Sequence, residues 1–299
     1  MPARHFSGRA HPQGTTASYY HTSHLGTYSM NSELTQLVTL AAHGNAYLAR
    51  EGGAAPELVG TNSMFNFSSL RFVRGPGSDA DSMTGTVVAE GTAGWYAELR
   101  ELGARNIWLV RRAGPTWEDT PQHMLVAFAG GGDWHLQVDY PDRSEAWPAF
   151  WRFAGKPGEG HWYVTYGAVP LEGMPQAQKH DLGATGARLR QALVEIEQFA
   201  RANGEETWAG IFKAALDDFD GGGEYRYPEM LPDEGYSSEA RRLLSVAARA
   251  WVFGGMGSWN DLSFPAGEAR ADYDRLSSQL YDAVMTAVVA ATNSFERPL

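Results

Sequence analysis

The sequence predicts an α+β fold in which an antiparallel sheet in the N-terminal half packs against a helical C-terminal half. Three observations carry this expectation. Apolar residues alternate at period two in short runs between residues 64 and 167. From about residue 180 they recur instead at the i, i+3, i+4 spacing of amphipathic helices. The two kinds of run also come in blocks, strands first and helices afterwards, which is the pattern of an α+β chain.

Residues 1–30 hold two arginines, four of the nine histidines and no Asp or Glu, without apolar periodicity, and read as a disordered N-terminal arm. Residues 31–299 read as a single domain, sheet-rich over 31–175 and helical over 176–299. Two loosely joined halves divided near residue 175 are the alternative. A first helix is capped by Asn31 or Ser32, carries Leu34, Leu37, Val38, Ala41 and Leu48, and stops at Gly52-Gly53. Strands follow at Met64–Val73, with a phase change that suggests a bulge, and at Gly85–Ala89. Thr92 is placed to cap a helix carrying Trp95, Leu99 and Leu102. Asn106–Arg112 is apolar on both faces and reads as a covered, central strand.

Gly130-Gly131-Gly132-Asp133 separates His123–Ala129 from Trp134–Tyr140, which reads as a β-hairpin. Residues 147–153 and 161–167 supply two more strand signals, the first rich in Trp and Phe. Four helices complete the chain. They are marked by Leu189, Leu193, Ile196 and Phe199; by Trp208, Ile211, Phe212, Leu216 and Phe219; by Leu243, Leu244, Ala247 and Trp251; and by Tyr273, Leu276, Leu280, Val284 and Val288.

Composition bounds the function. The 299 residues carry 35 acidic and 24 basic side chains, a net charge of −11, and 43% of them are hydrophobic. This is the balance of a globular chain with a proper core. A pI near 5.3 argues against a broad nucleic-acid or anionic-membrane surface. The absence of cysteine removes disulfides, thiolate metal sites and cysteine nucleophiles. No segment has the run of about 18 apolar residues that a membrane span needs, and no apolar leader is present, so a cytoplasmic location is expected. Only three of the 24 basic residues are lysines, a bias expected of a GC-rich bacterial coding sequence.

The linear signatures of phosphate loops, dinucleotide folds, serine elbows and zinc proteases are absent. Four constellations remain. Asp218, Asp220 and Glu229 fall at positions one, three and twelve of a calcium-type loop, but Gly222 takes the place of an oxygen ligand at position five and Pro228 opposes an exit helix. A solvated helix end explains the same letters, so no cofactor is expected and calcium is the one candidate metal. His135, Gln137 and Asp139 share one face of a strand, with His161 and Tyr163 on a plausible neighbour, as proton transfer or metal binding would require. An exposed polar sheet face gives the same alternation.

Ser258, Trp259, Asn260 and Asp261 sit on a glycine-rich loop between the last two helices, with Asp261 the acid/base candidate. The structural reading is a helix end and turn plugged by Trp259. Trp147 and Trp151, with the neighbouring aromatic residues, offer ring faces to a ligand or partner, or else belong to the core. Two functions follow. One is a non-enzymatic, immunity-protein-like interaction module whose acidic surface meets a basic protein partner. The alternative is a hydrolase using His135, Asp139 and His161, or the 257–261 loop.

Overall fold

A computed structural model describes residues 30–65, 68–75, 85–112, 120–129, 134–155, 161–221, 223–254 and 257–297. The expected N-terminal arm and the Gly130–Asp133 turn lie outside the described residues. Seven helices and seven strands are described: α1 Ser32–Ala49, β1 Ser68–Arg74, β2 Thr86–Glu90, α2 Thr92–Glu101, β3 Asn106–Arg111, α3 Gln122–Ala129, β4 Trp134–Asp139, β5 Ser144–Ala154, β6 His161–Gly167, β7 Val169–Pro170, α4 Leu182–Ala202, α5 Glu206–Phe219, α6 Ser238–Arg249 and α7 Glu268–Thr292. The fold is α+β. Among the described residues no helix is long and apolar enough to cross a membrane.

Local chemistry accounts for the helix ends. Asn31 caps α1 by accepting from the Glu33 amide at 2.7 Å, Asp181 caps α4 through the Ala184 amide, and Ser237 caps α6 through the Ala240 amide. Helix α2 departs from expectation. Thr92 is its first residue and Gly91 its N-cap, with no side-chain bond of its own. The cap comes from far along the chain, because the Glu57 carboxylate accepts from the amides of Thr92 and Ala93 and from the Thr92 hydroxyl. Burial works against ionisation of Glu57, but these bonds and one from Val59 more than offset it and hold the carboxyl below its usual range.

The sheet runs in the order β2-β1-β6-β5-β4-β3, with β7 pairing to β5. It is mixed, because β1 and β6 are parallel while every other pair is antiparallel. A purely antiparallel sheet is therefore corrected by one pairing. Ser63–Phe65 form a short 3-10 turn and β1 begins only at Ser68. Its register shift against β2 lies between Phe72 and Val73, not at the phase change before Leu70.

Two further corrections concern β3 and its neighbours. His123–Ala129 is the helix α3, not half of a hairpin. Pro121 opens it, its carbonyl accepting from the Met124 amide, and both edges of β4 are already taken by β3 and β5. Strand β3 is an edge strand, not a central one. Its free side is closed by two asparagines. Asn45 of α1 donates to the Ile107 carbonyl at 2.7 Å and accepts from the Ile107 amide at 2.8 Å. Asn293, just past α7, makes the same pair of bonds to Leu109 at 2.9 and 2.8 Å. Each primary amide presents a donor and an acceptor side by side, as a neighbouring peptide group would, so the two stand in for a missing strand.

The core lies between the sheet and α1, α2 and α7. Helix α1 crosses β3 closely because residue 44 is glycine; a Cβ there would stand 2.4 Å from Ile107 Cδ1. Phe72, Trp95, Trp147 and Tyr166 stack at the centre, with Phe72 4.5 Å from Trp95 and 5.2 Å from Tyr166 between ring centroids. Helices α4, α5, α6 and α7 pack on one another and complete the helical half.

Candidate functional site

The sheet-face residues are not brought together. Strand β5 lies between β4 and β6, and the register sets His135 opposite Pro148 but His161 opposite Ala154. Six residues of strand, roughly 20 Å at about 3.3 Å each, therefore separate the two histidines along the sheet. His135 is fully buried. The connection after β7 crosses this part of the sheet, its Ala177 amide donating to Gln137 Oε1 at 2.8 Å. The Asp139 carboxylate accepts from Trp108 Nε1 at 2.6 Å, Ser144 Oγ at 2.7 Å and Gln137 Nε2 at 2.8 Å, which makes it a clasp between strands. His161 shares a 2.7 Å hydrogen bond with Ser69 at the opposite end of the sheet.

The calcium-type residues are also held apart. Asp218 is buried against Arg249, Asp220 pairs with Arg190 at 3.4 Å, and Glu229 accepts from the Ser63 hydroxyl. Among the described residues no three His, Asp or Glu side chains are grouped to hold a metal ion. Of the two tryptophans proposed for binding, Trp147 has no exposed surface. Trp151 is half-buried and meets the edge of Trp162 at 5.8 Å.

The 257–261 loop folds inward. Trp259 is fully buried, with ring centroids 5.2 Å from Phe212 and 5.6 Å from Trp208. Its Nε1 donates to Ser277 at 2.7 Å, and its carbonyl accepts from the Tyr273 hydroxyl at 2.8 Å. Burial pushes that hydroxyl up to about 12. Ser258 caps the short turn through the Asn260 amide, and Asp261 accepts from the Gly257 amide. Asn260 donates to the His123 carbonyl at 2.8 Å. His123 is buried beside it, its Nδ1 3.3 Å from Ser278 Oγ and its Nε2 without a hydrogen-bond partner among the described residues. Burial, opposed in part by the Asp274 carboxylate, brings its pKa down to about 4, so the ring is neutral at pH 7. The misread helix α3 hid this histidine from sequence reasoning.

An accessible concave feature lies elsewhere. The C-terminal half of α4 and the N-terminal half of α7 flank an open groove of about 640 Å³. Phe199 and Leu276, both nearly buried, line it together with Ala202 and Ala269. Glu195, Glu268 and Asp272 supply three carboxylates against one guanidinium, Arg275. Arg275 is bound to Asp272 at 2.8 Å and Glu195 accepts from Gln191 Nε2 at 2.6 Å, so Glu195 and Glu268 have no cationic partner among the described residues. The apolar stripe of each helix is legible in the sequence, whereas the side-by-side packing of α4 and α7 is not.

No protein-family model matches the chain, and neither a curated protein nor a solved structure does. The chemistry of these residues is thus the basis for a functional reading.

Proposed function

We propose that the protein is a protein-binding module whose α4–α7 groove receives a basic, partly apolar segment of a partner, as an immunity-type protein would. One observation supports this reading: a groove lined by Phe199, Ala202, Ala269 and Leu276 carries carboxylates that its own cations do not neutralise. Apolar contact supplies affinity, and the unpaired charges steer and select a cationic segment. The groove is smaller than a full interface of about 800 Å² per partner, so micromolar, salt-sensitive binding is expected from the groove alone.

The test is a titration with an Arg/Leu amphipathic helical peptide and its Glu/Leu counterpart. The basic peptide should bind and the acidic one should not. The double variant Glu195→Lys, Glu268→Lys should weaken the basic peptide by at least about tenfold, the effect of about 1.4 kcal/mol. Equal binding by wild type and variant, or no binding of the basic peptide, would refute the reading.

A hydrolase remains as the second reading because the Nε2 of the neutral His123 ring has no hydrogen-bond partner among the described residues, and the His123 carbonyl accepts from Asn260 of the loop. It requires turnover of an ester or amide substrate that His123→Gln abolishes without unfolding the chain.

A further inference from the structure

We infer that the uncovered half of the outer sheet face binds single-stranded nucleic acid. The face is built from β1, β6 and β5. Register places Ser69 beside Tyr163 and Tyr163 beside Arg152, then Arg71 beside Thr165 and Thr165 beside Phe150. Directly paired residues share a face, so Arg71, Arg152, Tyr163 and Phe150 project together, away from the Trp147 core.

All four are exposed, and Tyr163 and Phe150 are two of the four large hydrophobic residues that stand out into solvent among the described residues. The connection after β7 reaches Gln137 on β4, so it covers the other half of this face.

Charge decides the occupant. The chain carries eleven more carboxylates than basic groups, and ten of its other arginines lie in ion pairs. Arg71 and Arg152 have no ion pair among the described residues. Arg71 donates to Thr165 Oγ1 at 3.3 Å. Arg152 lies 4.8 Å over the Tyr163 ring. Glu90 stands opposite Arg71 on the edge strand, yet no ion pair joins them. Both guanidiniums are thus held over β6 without a carboxylate partner among the described residues.

A flat face is poorly shaped for a small molecule, which prefers a concave site. Two protruding rings on diagonal positions, about 7–8 Å apart, with a cation on either side, suit a polymer that offers planar bases and phosphates in turn. An acidic peptide would use the arginines but leave the rings idle. The net charge of −11 argues against a broad basic surface and is compatible with a short, local one.

The test is fluorescence anisotropy with labelled oligothymidylate, at about 50 mM and about 200 mM salt. Wild type should bind at the lower salt and weaken at the higher. Tyr163→Ala should lose about fivefold or more in affinity, the lower end of a base–aromatic stack. Arg71→Ala with Arg152→Ala should lower the salt slope by about 1.4, at about 0.7 per contact on a single strand. The groove variant Glu195→Lys, Glu268→Lys should bind as wild type does, which separates this proposal from the one above. These exposed positions should leave the melting midpoint unchanged. No binding at low salt would overturn the proposal. So would a Tyr163→Ala variant that binds normally, or displacement of the oligonucleotide by an equal charge of polyglutamate, since either leaves a simple anion site.

Discussion

Replacing Asn293 by alanine removes the amide that closes the free side of β3 at Leu109. Two hydrogen bonds to Leu109 vanish, of 2.8 and 2.9 Å, with a longer third to the Gln178 carbonyl at 3.4 Å, at a place where Asn293 is 2% exposed and Leu109 is fully buried. The amide and carbonyl of Leu109 are then left without partners, each at a cost of about 1–3 kcal/mol. Water entering the vacated space recovers part of this, so the expected loss is about 2–4 kcal/mol. In a domain of this size that lowers the melting midpoint by roughly 3–7 °C. Urea unfolding gives the energy, and amide hydrogen exchange gives its location. Asn293→Ala should expose the Leu109 amide and leave Ile107 protected, while Asn45→Ala should do the reverse. A loss below about 1 kcal/mol, with the Leu109 amide still protected, would refute the idea that these side chains replace a strand.

Two further perturbations test the 257–261 region. His123 has its pKa lowered to about 4 by burial against an ordinary 6.5, so the unfolded chain takes up a proton before the folded one does. Stability should fall as pH drops from about 6.5 to about 4, by up to roughly 3 kcal/mol. His123→Gln should flatten that part of the urea-midpoint profile, and an equally steep profile in the variant would sink the assignment. For Trp259, alanine should cost about 3–5 kcal/mol. Phenylalanine keeps the ring contacts to Phe212 and Trp208 but loses the bond to Ser277, so it should cost only about 1–2 kcal/mol; equal losses in the two variants would mean that packing is not the main role.

The elements that were legible in the sequence are those whose burial is one-sided. Leu189, Leu193 and Ile196 on α4 and Leu276, Leu280 and Val284 on α7 face the core at helical spacing and are buried as that spacing implies. Trp134, Leu136 and Val138 show their strand through alternation of residue type, although the polar His135 and Gln137 between them are buried as well. His123–Ala129 was misleading because a short apolar run before glycines fits a strand or a helix equally well, and only the occupied edges of β4 decide between them. Strand β3 looked central because Val110 and Leu109 are both buried. Its edge position rests on asparagines far away in sequence, which no local pattern announces. The same non-locality hid the sites. Pairing β1 with β6 puts Arg71 beside Thr165, and packing α4 on α7 puts Glu195 near Glu268. The expected meeting of His135 with His161 failed for the same reason, since one intervening strand and its register separate them.

The asparagine closure also orders events in time. Asn45 comes from the first described helix and Asn293 from the end of the last, yet both finish a strand from the first half of the chain. During synthesis β3 can pair with β4 well over a hundred residues before Asn293 emerges. Throughout that interval one side of the nascent sheet stays open at Leu109, able to recruit a strand from another chain. The end of α7 thus acts as the closing clasp of the sheet, and a chain stalled or cut before it would carry a sticky edge even with every strand in place.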